Sequence, residues 1–147
     1  MKLENKTKAQ LMKTADEIFS LYIRERDQHL CLFGLVLNDP CAGGHQCCHA
    51  ISKGACSELR YDVNNAFDGC YKHHMFGWHG RNPLPYTDCF SKTYPMRKAY
   101  VDKVFSEYKK KLAEGVEFRP TKEYYIDKIN TFRRKLKELK NATASDF

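Results

Sequence analysis

A chain of 147 residues, 42% hydrophobic and 13% aromatic, can bury one core, which excludes global disorder. It contains no apolar run near the roughly 18 residues of a membrane span and no N-terminal signal pattern, so the expectation is a soluble, unsecreted, cytoplasmic protein without a membrane partner. The net charge of +7 sits entirely in residues 90–147, which hold fifteen Lys/Arg against eight Asp/Glu, while residues 1–89 hold ten of each. That asymmetry suits a polyanionic partner, although a solvated lysine-rich helix has the same composition.

Residues Lys6 to Gln28 predict an amphipathic helix, with Leu11, Ala15, Ile18/Phe19 and Tyr22 at helical spacing. Arg24 and Arg26 in its last turn favour a helix C-terminus, and either could also reach a phosphate. The apolar run Leu32–Leu37, closed by Asn38-Asp39-Pro40, reads as a strand. His45 to Ile51 reads as a returning strand, Phe67 to Cys70 as a second short strand, and Tyr71 to Phe76 as the start of a helix. Residues 77–95, with three prolines among aromatics, read as an irregular packed connection. Met96 to Ala113 and Pro120 to Lys140 predict two amphipathic helices. In the second of these, Tyr125, Ile129, Phe132, Leu136 and Leu139 form a stripe. It suits packing on the protein's own core, a short dimer coiled coil being the lesser reading. Residues from Asn141 onward should fray. The organisation expected is an N-terminal helix (1–29), a central core (30–95) and a basic helical extension (96–147).

Seven cysteines without a signal sequence favour metal ligation, with some spectators, over a disulfide framework. Cys56 and Cys89 have no partner at informative spacing and read as small buried hydrophobes. Cys70-x-x-His73 is half of a zinc knuckle, and tetrahedral zinc wants two more thiolates or imidazoles, for which Cys31, Cys41 and Cys47 are available. Cys31 begins a CxxC knuckle that has Gly34 where the second Cys should stand, so Cys41 or Cys47 would replace it. Such a structural Zn2+ would stabilise a core poor in strands.

Around these cysteines runs the order His49…Asn65…His74, the asparagine sixteen positions after the first histidine and the second histidine nine further. This order resembles that of the HNH, or ββα-metal, nuclease site, in which strand, loop, strand and helix present one divalent ion and one histidine. Hydrolysing a phosphodiester needs an activated water and a cation that neutralises the phosphate. His49 is the candidate general base, because a neutral imidazole near pH 7 can take a proton from water. His74 is the candidate ligand of a catalytic Mg2+ or Mn2+. Asn65 either orients the loop and the base or joins the metal shell. The fold class expected is therefore α+β, a small ββα-metal core with an N-terminal helix and two C-terminal amphipathic helices.

A longer resemblance covers residues 20–80. Tyr22-Ile23-Arg24-Glu25-Arg26-Asp27, Cys31, His49-Ala50-Ile51-Ser52-Lys53, Leu59-Arg60-Tyr61-Asp62, Asn65 and Cys70-x-x-His73-His74 resemble the phage NinG/Rap recombination proteins. The resemblance implies a metal-dependent DNA endonuclease acting on branched or four-way-junction DNA in phage recombination, within the host cytoplasm if phage-encoded. It also implies that Lys53 and Arg60 face phosphate beside the site, Arg60 being equally able to pair with Asp62 or a nearby acid to hold the loop. This chain departs from the family pattern at Gly34, His73 and Lys53. A reading from another class is a zinc-stabilised DNA-binding module without nuclease activity. A bacterial-killing toxin is disfavoured in so short a chain, and a homodimer is hinted at only by the C-terminal stripe.

Overall fold

Thr7 opens the first helix. Its side chain accepts the Gln10 N–H at 3.2 Å while the Gln10 side chain accepts the Thr7 N–H at 2.9 Å, so two end donors are satisfied reciprocally. The helix, α1, spans Lys8–Arg26 in a computed structural model that describes residues 1–145. Leu11, Ala15, Phe19 and Ile23 are all buried, a four-residue rhythm that keeps one face inward. The chain then turns through Gln28 and His29, which both take left-handed backbone angles (φ 57° and 54°).

The run after Cys31 is a one-turn helix, α2 (Leu32–Val36), and not the strand its apolar character suggests. Leu35 and Leu37 donate to the carbonyls of Cys31 and Phe33, so its backbone is satisfied locally. Leu32 and Phe33 are buried while Leu35 and Val36 face water, one-sided burial that suits a single helical turn. The sheet is the two-stranded antiparallel pair β1 (His45–His49) and β2 (Ala66–Cys70), in register His45 with Cys70, Cys47 with Asp68 and His49 with Ala66. The chain leaves β2 into a π-helical segment, His73–Trp78.

Residues 77–95 hold a further helix that the expectation of an irregular connection missed. This is α3 (Leu84–Thr93), with Pro83 and Pro85 at its start, where a missing N–H costs nothing. Its Cys89 and Phe90 join Phe33, Phe67 and Trp78 in an aromatic cluster beneath the sheet. Pro95 opens α4 (Pro95–Ala113), which lays Val101 over Cys56 and Leu59 of the long loop between the strands. Thr121 accepts the Tyr124 N–H at 3.2 Å, and α5 follows over Lys122–Ser145. The helical backbone thus continues past Lys140, and the expected frayed tail otherwise lies outside the described residues.

The stripe on α5 is spent inside the chain. Tyr125, Ile129 and Phe132 bury against Leu11, Ala15, Phe19 and Ile23 of α1, with the Phe19 and Phe132 rings edge to face at 4.9 Å. Lys122 also donates to the Glu4 carbonyl at 3.0 Å, tying the start of α5 to the beginning of the chain. The architecture is mixed α+β, mostly helical around a small hairpin. Among the described residues no helix is long and apolar enough to cross a membrane. Replacing the fully buried Ile129 by Ala should lower the unfolding free energy by about 2–5 kcal/mol, read from urea denaturation of the two proteins side by side.

Candidate functional site

Four side chains converge at the junction of α2, the loop before β1 and the end of β2. The ligand atoms of Cys31, Cys41, Cys70 and His73 all lie within 4.8 Å of one another. The His73 Nδ1 is 3.1 Å from the Cys70 sulfur, 3.4 Å from that of Cys31 and 3.8 Å from that of Cys41. On the other edge of the ring, Nε2–H donates to Asp39 at 2.7 Å, which fixes the tautomer and leaves the Nδ1 lone pair among the sulfurs. Lys72 holds the same carboxylate at 3.0 Å.

The donor set fits a metal such as zinc: three sulfurs and one imidazole, with a carboxylate behind the histidine. Burial opposes the Cys70 thiolate, yet the N–H groups of His73 and Ala42 and the neighbouring thiols outweigh it, so its pKa is lowered. Loss of water and the adjacent Cys70 and Cys31 sulfurs push the Cys41 thiol up to about 12. Three sulfurs this close cannot all ionise without a cation among them. Gly34 explains the incomplete CxxC. A Cβ at that position would lie 2.5 Å from the Cys41 sulfur, so the fourth donor arrives from Cys41 and the space a side chain would need is already filled.

Cys47, the other candidate for that cluster, lies elsewhere. Adjacent residues of a strand face opposite ways. Cys48 is buried in the aromatic cluster, while Cys47 lines a separate groove, its thiol pushed up to about 12 by burial. Cys56 and Cys89 are buried in apolar clusters, as expected, and all seven cysteines are free thiols.

The groove, about 570 Å3 in volume, runs between α1, β1 and the π-helical segment, and His49, His74, Lys53 and Arg24 all line it. His49 ends β1 with its ring stacked on Phe19, and its Nε2–H donates to the Arg60 carbonyl at 3.0 Å. The lone pair therefore resides on Nδ1. Burial, reinforced by Lys53 and opposed by the Arg60 carbonyl, lowers its pKa from 6.5 to about 4, so the ring is neutral at pH 7. His74 is set in the complementary way. Its Nδ1–H donates to Gln46 of β1 at 2.7 Å, which leaves Nε2 with the lone pair. Burial, with His79 and Lys53, lowers its pKa to about 4 as well. Two neutral imidazoles, each with one nitrogen pinned and one available, thus line the same groove.

Asn65 does not join a metal shell. It is fully buried, accepts the Ile51 N–H at 2.8 Å and donates to the carbonyls of Ile51 and Leu59 at 2.9 and 3.1 Å. Its amide is wholly occupied in clasping the loop that carries Lys53 and Arg60. The four candidate DNA-facing cations divide in two. Arg26 donates to the carbonyls of Val63 and Ala66 at 2.7 and 2.8 Å and pairs with Asp27, so most of its donors are committed to bracing the hairpin. Arg60 makes a two-pronged pair with Asp16 of α1 at 2.8 and 2.6 Å, the nearby-acid alternative. Burial raises the Asp16 pKa, but Arg60 and Tyr61 more than offset it and hold the carboxyl below its usual range. Lys53 and Arg24 remain in the groove, and neither forms an ion pair among the described residues.

Sequence reasoning missed Gln46, Asp39, Asp16 and His79. The first three are hydrogen-bond partners set by tertiary approach, with no spacing to betray them. The last is hidden by helix geometry. Residues five apart stand about 140° apart around an α-helix, but the His79 N–H bonds to the His74 carbonyl at 2.9 Å, the π pattern, and brings the rings to 4.8 Å. The geometry defines a class of site: a Cys3His cluster able to hold a metal such as zinc, beside a groove lined by neutral histidines and free cations. Comparison with family models, curated proteins and solved structures finds no match to this chain.

Metal analysis of protein grown in zinc should give one zinc per chain, and Cys70→Ser should lose the metal together with cooperative unfolding. His49 yields a second test. Its folded pKa of about 4 lies below the ordinary 6.5, so its contribution to stability is complete above pH 6.5 and is lost as pH falls toward 4. Histidine NMR should therefore show the His49 ring neutral at pH 5. The stability lost between pH 7 and pH 5 should shrink in His49→Gln.

Proposed function

We propose that the chain is a divalent-metal-dependent DNA endonuclease of the HNH type, hydrolysing phosphodiester bonds with His49 as general base. The observation that carries this reading is the pairing of His49 and His74 across one groove. One is held with Nδ1 free and the other with Nε2 free, and both are neutral at pH 7.

The antiparallel hairpin, the clasped loop between its strands and the π-helical segment after β2 support this reading. His74 and His79 would hold a Mg2+ or Mn2+ ion, and that ion would neutralise the scissile phosphate and the leaving oxygen. His49 takes the proton of the attacking water on Nδ1, while its Nε2–H stays on the Arg60 carbonyl, which sets the ring's orientation and favours the imidazolium as it forms. Lys53 and Arg24 bind the phosphates on either side. The Cys3His cluster, with zinc, fixes the end of β2 from which the His74 segment departs. The substrate implied by the resemblance to NinG/Rap proteins is branched or four-way-junction DNA in phage recombination.

Cleavage of end-labelled linear duplex and four-way-junction DNA, with magnesium or manganese added, tests the reading. His49→Ala should cut about 10²–10⁴-fold more slowly than the unaltered protein while binding DNA equally well. If neither protein cuts and both bind, the chain is a zinc-stabilised DNA-binding module instead.

A further inference from the structure

Beside the catalytic groove lies a second and larger one, about 790 Å3, lined in part by Met75, Phe76, His79, Arg81, Asn82 and Tyr86. The two grooves adjoin. Met75 lines both, and His79 of the second stands 4.8 Å from His74 of the first. The rim is unusually apolar for an exposed surface: Phe76 is 72% exposed, and Met75, Leu37 and the nearby Leu84 are exposed too. Tyr86 forms a flat wall, because Gly77 has no side chain and lets the ring lie against the helix backbone, where a Cβ would be 2.3 Å away. Among the described residues the polar lining is Arg81, His79, Asn82 and the Tyr86 hydroxyl, with no carboxylate.

Resting on the nuclease reading of the first groove, we propose that this second groove holds bases unstacked from branched or gapped DNA, with Phe76 as the stacking platform and Arg81 on the adjoining phosphate. A protein partner would suit the apolar rim alone. The cationic lining without an acid, and the adjoining groove that holds Lys53 and Arg24, select a polyanion that also offers flat apolar faces. Single-stranded nucleic acid has both, whereas a linear duplex keeps its base faces hidden within the stack. On this basis substrates with unpaired bases beside the cut, such as gaps or single-stranded flaps, are held more tightly than a linear duplex.

The test measures binding by the full chain, without added magnesium or manganese, to a linear duplex and to the same duplex carrying a short single-stranded gap. Phe76→Ala should weaken binding to the gapped DNA by about tenfold and leave the duplex affinity unchanged, since base–aromatic stacking is the interaction removed. Phe76→Trp should restore gapped binding, and its emission should be quenched by gapped DNA and not by duplex. Because Phe76 is so exposed, a folding defect is not expected, and thermal melts of each variant verify this. Equal losses on both DNAs, no loss on gapped DNA, or a change in self-association instead would each overturn the proposal. Cutting is scored separately. A chain that binds gapped DNA through Phe76 yet cuts nothing keeps this surface and loses the nuclease reading. A chain that cuts through His49 with no Phe76 effect does the reverse.

Discussion

The groove depends on one backbone carbonyl, that of Arg60. It accepts the Nε2–H of His49 and so decides which nitrogen of that ring carries the lone pair. The carbonyl keeps its place because the loop around it is tied at both ends. Asn65 clasps Ile51 and Leu59 from inside the loop, and the Arg60 side chain reaches out to Asp16 on α1. Tyr61 adds a hydrogen bond to the same aspartate at 2.9 Å. An arginine and an asparagine that look like contacts for a ligand thus act on the chemistry at second hand, by fixing the atom that fixes the histidine.

The two histidine sites differ in chemistry as well as place. The knuckle is soft, with three buried donors and the exposed Cys41 closing it from the surface, a sulfur and nitrogen set that suits a structural ion. The groove is open and offers imidazole nitrogens beside free cations, a set that leaves room for phosphate and water. They meet at the end of β2, where consecutive residues serve different sites: His73 turns into the sulfur cluster and His74 into the groove. Any disturbance of the knuckle therefore alters the angle at which His74 enters the groove, one residue away.

Much of this could be read from the sequence, and the reasons for the rest are physical. The long helices announced themselves through a three-and-four rhythm of apolar residues, because α1 and α5 each bury a single stripe. The hairpin was recognisable around its histidine and cysteine positions. The run Leu32–Leu37 misled because a short apolar stretch has no period, and only its one-sided burial reveals a helical turn. The helix Leu84–Thr93 was obscured by prolines that sit harmlessly in its first turn. Of the metal donors, Cys70 and His73 were visible from their spacing. The choice of Cys41 over Cys47 depended on which face of β1 each sulfur could reach, and no spacing encodes that. The role of Asn65 was open between clasp and ligand, and burial decided it.

The pairing of α1 with α5 has a consequence in time. One wall of the groove belongs to α1, through Phe19, Ser20 and Arg24, yet the adjoining face of that helix, which shares Phe19, is covered by residues more than a hundred positions later. During synthesis every other described element emerges before α5 does. Until then part of the apolar stripe of α1 is uncovered, and the helix is seated only by its contacts with the hairpin and loop, through Arg26, Asp16 and Phe19. A nascent chain can assemble its hairpin and knuckle early, but the groove acquires its final shape only when α5 has left the ribosome.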